Sequence, residues 1–222
     1  MPETSSQPER PERQVRQRGR TREAILHAAR SLYQREGYGA VTMRAIANQL
    51  GFSAPAIYNY FLSKEEIFVV LQETALRHMA AAVIQPETDD PVHDLRMLYW
   101  HYFEFSKQEP DYFTLVYVDP SVPTVESKFE GLKAMTEFTA KIVKRCLDAG
   151  VFPSGTPELV GPLLWNIIHG PAVLRLVQGL PRSLNYDIIA ASALDLAIAG
   201  LRAGLLPEIA MPQGIGGGAR TR

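Results

Sequence analysis

One cysteine in 222 residues, Cys146, has no second thiol in the chain with which to form a disulfide. Equally missing is any apolar run long enough to span a bilayer, or to serve as the hydrophobic part of a signal segment behind the polar, Arg-rich N-terminus. The expected compartment is therefore the bacterial cytoplasm, and no membrane partner is expected. No segment shows the strict polar/apolar alternation of a half-buried strand. Catalytic signatures are absent too. There is no His-Glu-x-x-His, no Gly-rich phosphate loop and no nucleophile elbow, and Cys146 has no assigned histidine partner. His101 with Glu104, and His78 with His93, lack the surrounding context that acid–base or metal chemistry needs. No enzyme activity, cofactor or metal is expected.

What is present is an ordinary globular composition, 46% hydrophobic, sized for one medium domain or a small domain fused to a larger one. The net charge of −1 hides an asymmetry. Residues 1–64 hold ten Lys/Arg against five Asp/Glu, and the remainder 13 against 19. A basic head on an acidic body suits a protein that presents one end to a polyanion.

Along the chain, residues 1–19 carry Pro2, Pro8, Pro11 and the arginines 10, 13, 16 and 18, and read as a disordered basic arm. Helical periodicity begins near Arg20, with Ile25, Ala28, Ala29, Leu32 and Tyr33 on one face, until Gly37 and Gly39. Thr42 can cap a short second helix with Met43, Ile46, Ala47 and Leu50 inside, and Gly51 supplies a tight turn. Ser53 is expected to cap a third helix from Ala54 to about Tyr60, which tolerates Pro55 in its first turn. Ser63-Lys64-Glu65-Glu66 reads as a capping box opening a longer helix to about Ala82. Further helices are expected from Asp90-Pro91 to about Gln108, Asp111 to Val118, Val125 to Ala149, Thr156-Pro157 to about Gln178, and Tyr186 to Ala203, followed by a Gly-rich flexible tail from 207 to 222. The fold class is all-α, with about nine helices.

Two short helices separated by Gly51-Phe52-Ser53 have the spacing of a helix-turn-helix. The second must lay its first residues in the major groove, and Ala54, Pro55 and Ala56 are slim enough to do so. Together with Thr42, Ile46-Ala47, Tyr58-Asn59-Tyr60-Phe61 and Lys64-Glu65, this stretch from Thr21 to Phe68 resembles the tetracycline-repressor (TetR) family of transcription regulators. The resemblance implies a helix-turn-helix domain over 20–66 and a helical ligand-binding and dimerisation domain over 67–206. It implies phosphate contacts by Thr42, Tyr58, Tyr60 and Lys64, and base contacts by Arg44 and the start of the third helix, from Ser53. Helix N-termini at Thr42 and Lys64 favour a phosphate, and Arg44 is suited to reading guanine in a bidentate way. Asn59 stands where many family members carry histidine. Arg16, Arg18 and Arg20 are candidates for phosphate or minor-groove contact. Phe61 reads as core.

The resemblance also implies a homodimer through the helices at about 157–178 and 186–203. The sequence agrees, because Ile188, Ile189, Leu194, Ile198 and Leu201 with interspersed alanines make the last helix too apolar for one face in water. Trp165, His169 and Gly170 spell a W-x-x-x-H-G pattern that looks like one subgroup of the family's regulatory domains. Aromatic rings crowd the preceding helices, so Tyr99, Tyr102, Phe103, Tyr112, Phe113, Trp165 and His169 are the candidate lining of an effector pocket, with aromatic core as the plainer alternative. The expected function is a repressor released from a palindromic DNA operator by a small, largely apolar effector, with the 63–82 helix as the lever. The alternatives are a ligand-independent architectural DNA-binding protein and an enzyme acting on an aromatic ligand.

Overall fold

The computed structural model describes residues 10–123, 129–177 and 183–206. These form α1 (Arg10–Glu36), a 3-10 turn (Tyr38–Ala40), α2 (Met43–Leu50), α3 (Ala54–Tyr58), α4 (Lys64–Val83), α5 (Pro91–Gln108), α6 (Pro110–Tyr117), α7 (Glu130–Asp148), α8 (Pro157–Leu174) and α9 (Tyr186–Arg202). There is no strand among the described residues, and the fold is all-α.

Side-chain caps set several helix starts. Thr42 Oγ1 accepts from the Ala45 N–H (3.0 Å), Ser63 Oγ from the Glu66 N–H (3.3 Å), and Asp90 Oδ1 from the Val92 and His93 N–H groups (2.9 and 3.0 Å). The reciprocal half of the box at Ser63 is shifted by one residue, for Glu66 accepts from the Leu62 N–H at 2.6 Å. Gly51 closes α2 in the left-handed region, with φ of 69°.

Three expectations are corrected. Residues 10–19 are not an irregular arm but the first turns of α1. Once the 20–36 helix exists, extending it requires no new nucleus, and Arg and Gln are good helix formers. Residues 1–9 of the expected arm, the expected start of α7 at Val125, and the 207–222 tail lie outside the described residues. Ser53 occupies the N-cap position of α3 without a side-chain capping bond. Pro55 at the second helical position has no N–H, and the next donor, Ala56 N, bonds the Ser53 backbone carbonyl at 2.9 Å. Finally, α3 ends at Tyr58 rather than Tyr60, and α8 at Leu174 rather than near Gln178.

Packing divides the helices into two groups joined by α4. Ile25, Val41, Ile46, Ile57 and Phe61 form the core of the first group, and α4 contributes Ile67 and Phe68 to it. Tyr33 and Tyr38 both meet the Phe68 ring edge-on, at 5.6 and 4.7 Å. Farther along, Leu76, Met79 and Val83 of α4 are buried in the second group. There α7 crosses α4 closely at Gly131, where even a Cβ would lie 2.5 Å from the Leu76 carbonyl carbon.

Candidate nucleic-acid interface and interior aromatic cluster

The first group of helices turns a largely polar, slim surface to solvent over a mainly apolar interior. Arg20, Thr42, Arg44, Ser53, Pro55, Tyr58 and Asn59 are exposed, and Ala54, Ala56, Tyr60 and Lys64 are half-buried. Ile46, Ala47, Ile57 and Phe61, from the same elements, are buried. Tyr58 is therefore set apart from the buried Phe61, at 51% exposed, while Tyr60 is half-buried against the core. Lys64 is not extended. Its Nζ donates to the Tyr38 carbonyl (3.1 Å) and sits 3.8 Å from the Tyr38 ring centroid. Reaching a phosphate requires the ammonium to leave that ring, which its flexible stem permits.

Of the seven interior candidates, four come together. His169 and Trp165, one turn apart on α8, stack at 4.5 Å, and His169 Nδ1 shares a 2.7 Å hydrogen bond with the Tyr102 hydroxyl. The Phe113 ring lies 5.5 Å from Tyr102 and 5.9 Å from His169. Burial lowers the His169 pKa and so holds the ring neutral, while burial and the neighbouring Tyr117 raise the Tyr102 hydroxyl well above its usual range. The other three have separate engagements. Tyr99 donates to the Gly161 carbonyl (2.7 Å), Phe103 lies against Trp100 (5.5 Å), and Tyr112 faces the first group of helices.

Two side chains missed by the sequence reading belong with these. Tyr117 joins the cluster, 5.2 Å from His169 and 6.2 Å from Trp165, with its own hydroxyl pushed up by burial to about 12. Its four-residue spacing from Phe113 was the available signal. Arg30 of α1 lies 3.7 Å over the Tyr112 ring and bonds Glu109 at 3.4 Å, and Gln34 donates to Asp111. Tyr112 in turn meets His78 of α4 edge-on at 5.3 Å. Nothing local in the sequence announces pairs so far apart.

No three His, Cys, Asp or Glu side chains gather as a metal site among the described residues. Burial pushes the Cys146 thiol up to about 11, which keeps it protonated and unreactive. No described helix is long and apolar enough to cross a membrane.

Residues 25–71 match the family model described as bacterial regulatory proteins of the tetR family. The HTH-type transcriptional repressor NicS of Pseudomonas putida is 25% identical over 139 residues, 61% of this chain and 66% of that relative. The HTH-type transcriptional activator FasR of Mycolicibacterium smegmatis is 26% identical over 139 residues, 60% of this chain and 63% of its own. The match thus spans just under two thirds of either relative. Among solved structures, the TetR family regulator PfmR from Thermus thermophilus superposes with a TM-score of 0.60 at 24% identity, over 80% of this chain and 98% of that one. That likeness extends the shared fold through the second group of helices. Residues 25–71 are thus a DNA-binding domain of the tetR family.

The contact of Arg30 with Tyr112 ties this tetR-type helix-turn-helix unit to α6. Arg30 is about a quarter exposed. A guanidinium packed on a ring and largely shielded from water contributes roughly 1–2 kcal/mol. A double-mutant cycle of Arg30→Met with Tyr112→Leu, followed by urea unfolding, is expected to return a coupling of about that size. Additive losses would mean that the stacking contributes nothing to stability.

Proposed function

We propose that the chain is a homodimeric transcription repressor that binds a near-palindromic DNA operator through α2 and α3, and leaves it when a small, largely apolar effector binds among α5, α6 and α8. The observation that carries the reading is the solvent-facing set Thr42, Arg44, Ser53–Ala56 and Tyr58–Tyr60 on a buried helix-turn-helix core. In it Arg44 reads a base, and Pro55 and Ala56 offer apolar surface to thymine methyl groups. Thr42, Tyr58, Asn59, Tyr60, Lys64 and Arg20 hold phosphates. The functional division falls at the start of α4, between 20–66 and 67–206, and the expected place of action is the cytoplasm, on the nucleoid when bound.

Support for the dimer comes from Leu159, Leu163 and Leu174 of α8 and Ile188, Ile189 and Leu196 of α9, all exposed on the single chain. Such a patch marks a surface that another molecule covers. A two-fold pairing of these helices sets the recognition helices about one DNA turn, roughly 34–36 Å, apart. For the effector, Tyr102, Phe113, Tyr117, Trp165 and His169 offer an apolar lining with a few polar tips, and the W-x-x-x-H-G pattern supplies two of the five. Repression is the sense printed for NicS. An effector that fits one arrangement of α4 better than another shifts the dimer between bound and released forms.

A binding selection from genomic fragments with the purified chain, repeated over a salt series, tests the reading. Enrichment of one inverted repeat is the expected outcome; recovery of fragments with no common site would leave a non-specific binder. On the recovered site, Arg44→Ala is expected to cost about 1–3 kcal/mol of discrimination at one base position. Lys64→Ala should weaken all sequences alike and flatten the salt dependence by about one contact. Equal losses for Arg44→Ala on operator and random DNA would remove its base-reading role.

A further inference from the structure

Trp165, His169 and Tyr117 are half-buried, whereas Tyr102 and Phe113 of the same cluster are buried, so the cluster meets solvent chiefly through the first three. Neighbouring rings lie between 4.5 and 6.2 Å apart. Among the described residues, none of the five bonds to or stacks on a charged side chain. Their polar contacts are the 2.7 Å bond between Tyr102 and His169 and a 3.9 Å approach of the Tyr117 hydroxyl to Met79 Sδ. Burial holds the imidazole neutral and both hydroxyls protonated. The cluster thus offers faces to a flat ring and carries no fixed charge.

Counting donors decides which way the central hydrogen bond runs. A neutral imidazole has one N–H. If Nδ1 held it and donated to Tyr102, the Tyr102 hydroxyl proton and the Nε2 lone pair would both lack partners. If Tyr102 donates to Nδ1, only the Nε2–H is left over, and leaving one group unmet costs less than leaving two. His169 Nε2–H is then a donor with no acceptor among the described residues, on a ring at the half-buried edge of the cluster.

We propose that this cluster takes an uncharged, planar aromatic compound carrying one hydrogen-bond acceptor, stacked against Trp165, Tyr117 and Phe113 and accepting from His169 Nε2. This rests on the effector reading above and names the chemistry of the effector. An aromatic body gains from ring contacts at about 4.5–7 Å, and its acceptor satisfies the spare N–H. An ionised carboxylate meets no cation here. It is either buried unpaired or draws a proton onto a ring that burial keeps neutral. A cation is attracted to ring faces, yet it meets the positive end of the Nε2–H and no carboxylate. A plain hydrocarbon fits the rings and leaves the donor unmet.

The test is titration calorimetry on the full chain with five compounds of similar size: acetophenone, ethylbenzene, benzoate, benzylammonium and cyclohexyl methyl ketone. Acetophenone is expected to bind on the order of tenfold more tightly than each of the others, which lack in turn the acceptor, the neutrality (twice) and the flat ring. His169→Phe keeps an aromatic ring in the stack and removes the donor. In that variant acetophenone is expected to fall to the affinity of ethylbenzene, while ethylbenzene keeps its wild-type affinity, a split that a collapsed fold does not produce.

Acetophenone that fails to bind, or that any of the other four compounds matches, would overturn the ligand class and leave an effector site among α5, α6 and α8 standing. Equal losses of acetophenone and ethylbenzene in His169→Phe would reduce His169 to packing and overturn the hydrogen bond. Acetophenone that binds as expected but leaves the chain on the operator returned by the genomic selection would do the reverse, upholding the ligand class and overturning the effector reading.

Discussion

A chain carrying Leu196→Glu is expected to elute as a 24.7 kDa monomer, against twice that mass for the proposed wild-type dimer, and to lose at least a hundredfold in affinity for a two-half-site operator. Leu196 is 74% exposed on the single chain, so the change disturbs no core contact of the protomer. In a two-fold pairing of α9 the same position occurs twice close to the axis. Two leucines lose roughly 1.5–3 kcal/mol of burial each, and two carboxylates would be buried without partners at several kcal/mol more. Monomers then reach the operator one half-site at a time. Leu62→Glu makes the contrast, because Leu62 is more exposed still, at 82%, yet sits before α4 beside the residues proposed to face DNA. Its variant should keep the wild-type mass. Light scattering after gel filtration reads both, and a Leu196→Glu chain of unchanged mass would remove α9 from the interface.

How far such arguments can be made from residues alone depends on whether the cause is local. Thr42, Ser63 and Asp90 announce their helices because a cap is a bond between a side chain and a backbone N–H two or three residues on. Gly51 is legible for the same reason, since a left-handed closure of α2 suits glycine. Composition misled at residues 10–19. Proline and arginine there suggest disorder by the yardstick of buried apolar area, but a helix already anchored at Ile25 extends through polar residues without burying anything. The far end of α8 fails for a different reason. Gly179 looks like the stop, yet the helix has closed by Arg175, whose guanidinium donates to the Ser106 carbonyl of α5 at 2.6 Å, a contact between residues 69 apart.

The candidate sites divide along the same line. On α2 and α3 the inner and outer faces follow from spacing, so the burial of Phe61 and the exposure of Tyr58 were readable, whereas Tyr60 packs partly against the core. Within the second group of helices, aromatic content was readable but its sorting was not. Tyr112 and Phe113 are neighbours in sequence and face opposite duties, one under Arg30 of α1 and the other against His169 of α8. That choice is made by which helices α6 lies between. Tyr99 could not have been assigned to the Gly161 carbonyl without the packing of α5 on α8.

Replacing Gly131 by Ala is expected to be the most damaging one-carbon change in the second group of helices. An alanine Cβ would stand 2.5 Å from the Leu76 carbonyl carbon, and 2.6 Å from both the Leu76 oxygen and the Arg77 nitrogen. All three are backbone atoms in the middle of α4, so no rotamer change makes room, and α7 must slide off α4 or α4 must bend. Alanine gains roughly 0.5–1 kcal/mol over glycine from helix propensity. Overpacking of this kind costs about 1–3 kcal/mol, occasionally more, and with rigid backbone as the obstacle the upper end applies. The net loss of about 2 kcal/mol corresponds to a fall of roughly 4–8 °C in Tm for a chain of this size. Gly19→Ala is the matched control, since nothing lies within 4 Å of a Cβ at that position in α1 and only the propensity gain remains. Calorimetry should show Gly131→Ala melting earlier and Gly19→Ala no earlier than wild type. Because α4 joins the two groups of helices, the Gly131→Ala chain should also bind operator with altered affinity, although residue 131 is on α7 and remote in sequence from every residue proposed to contact DNA. Unchanged melting would mean that α7 can shift freely on α4, and the close crossing would then have no role in holding α4 in place.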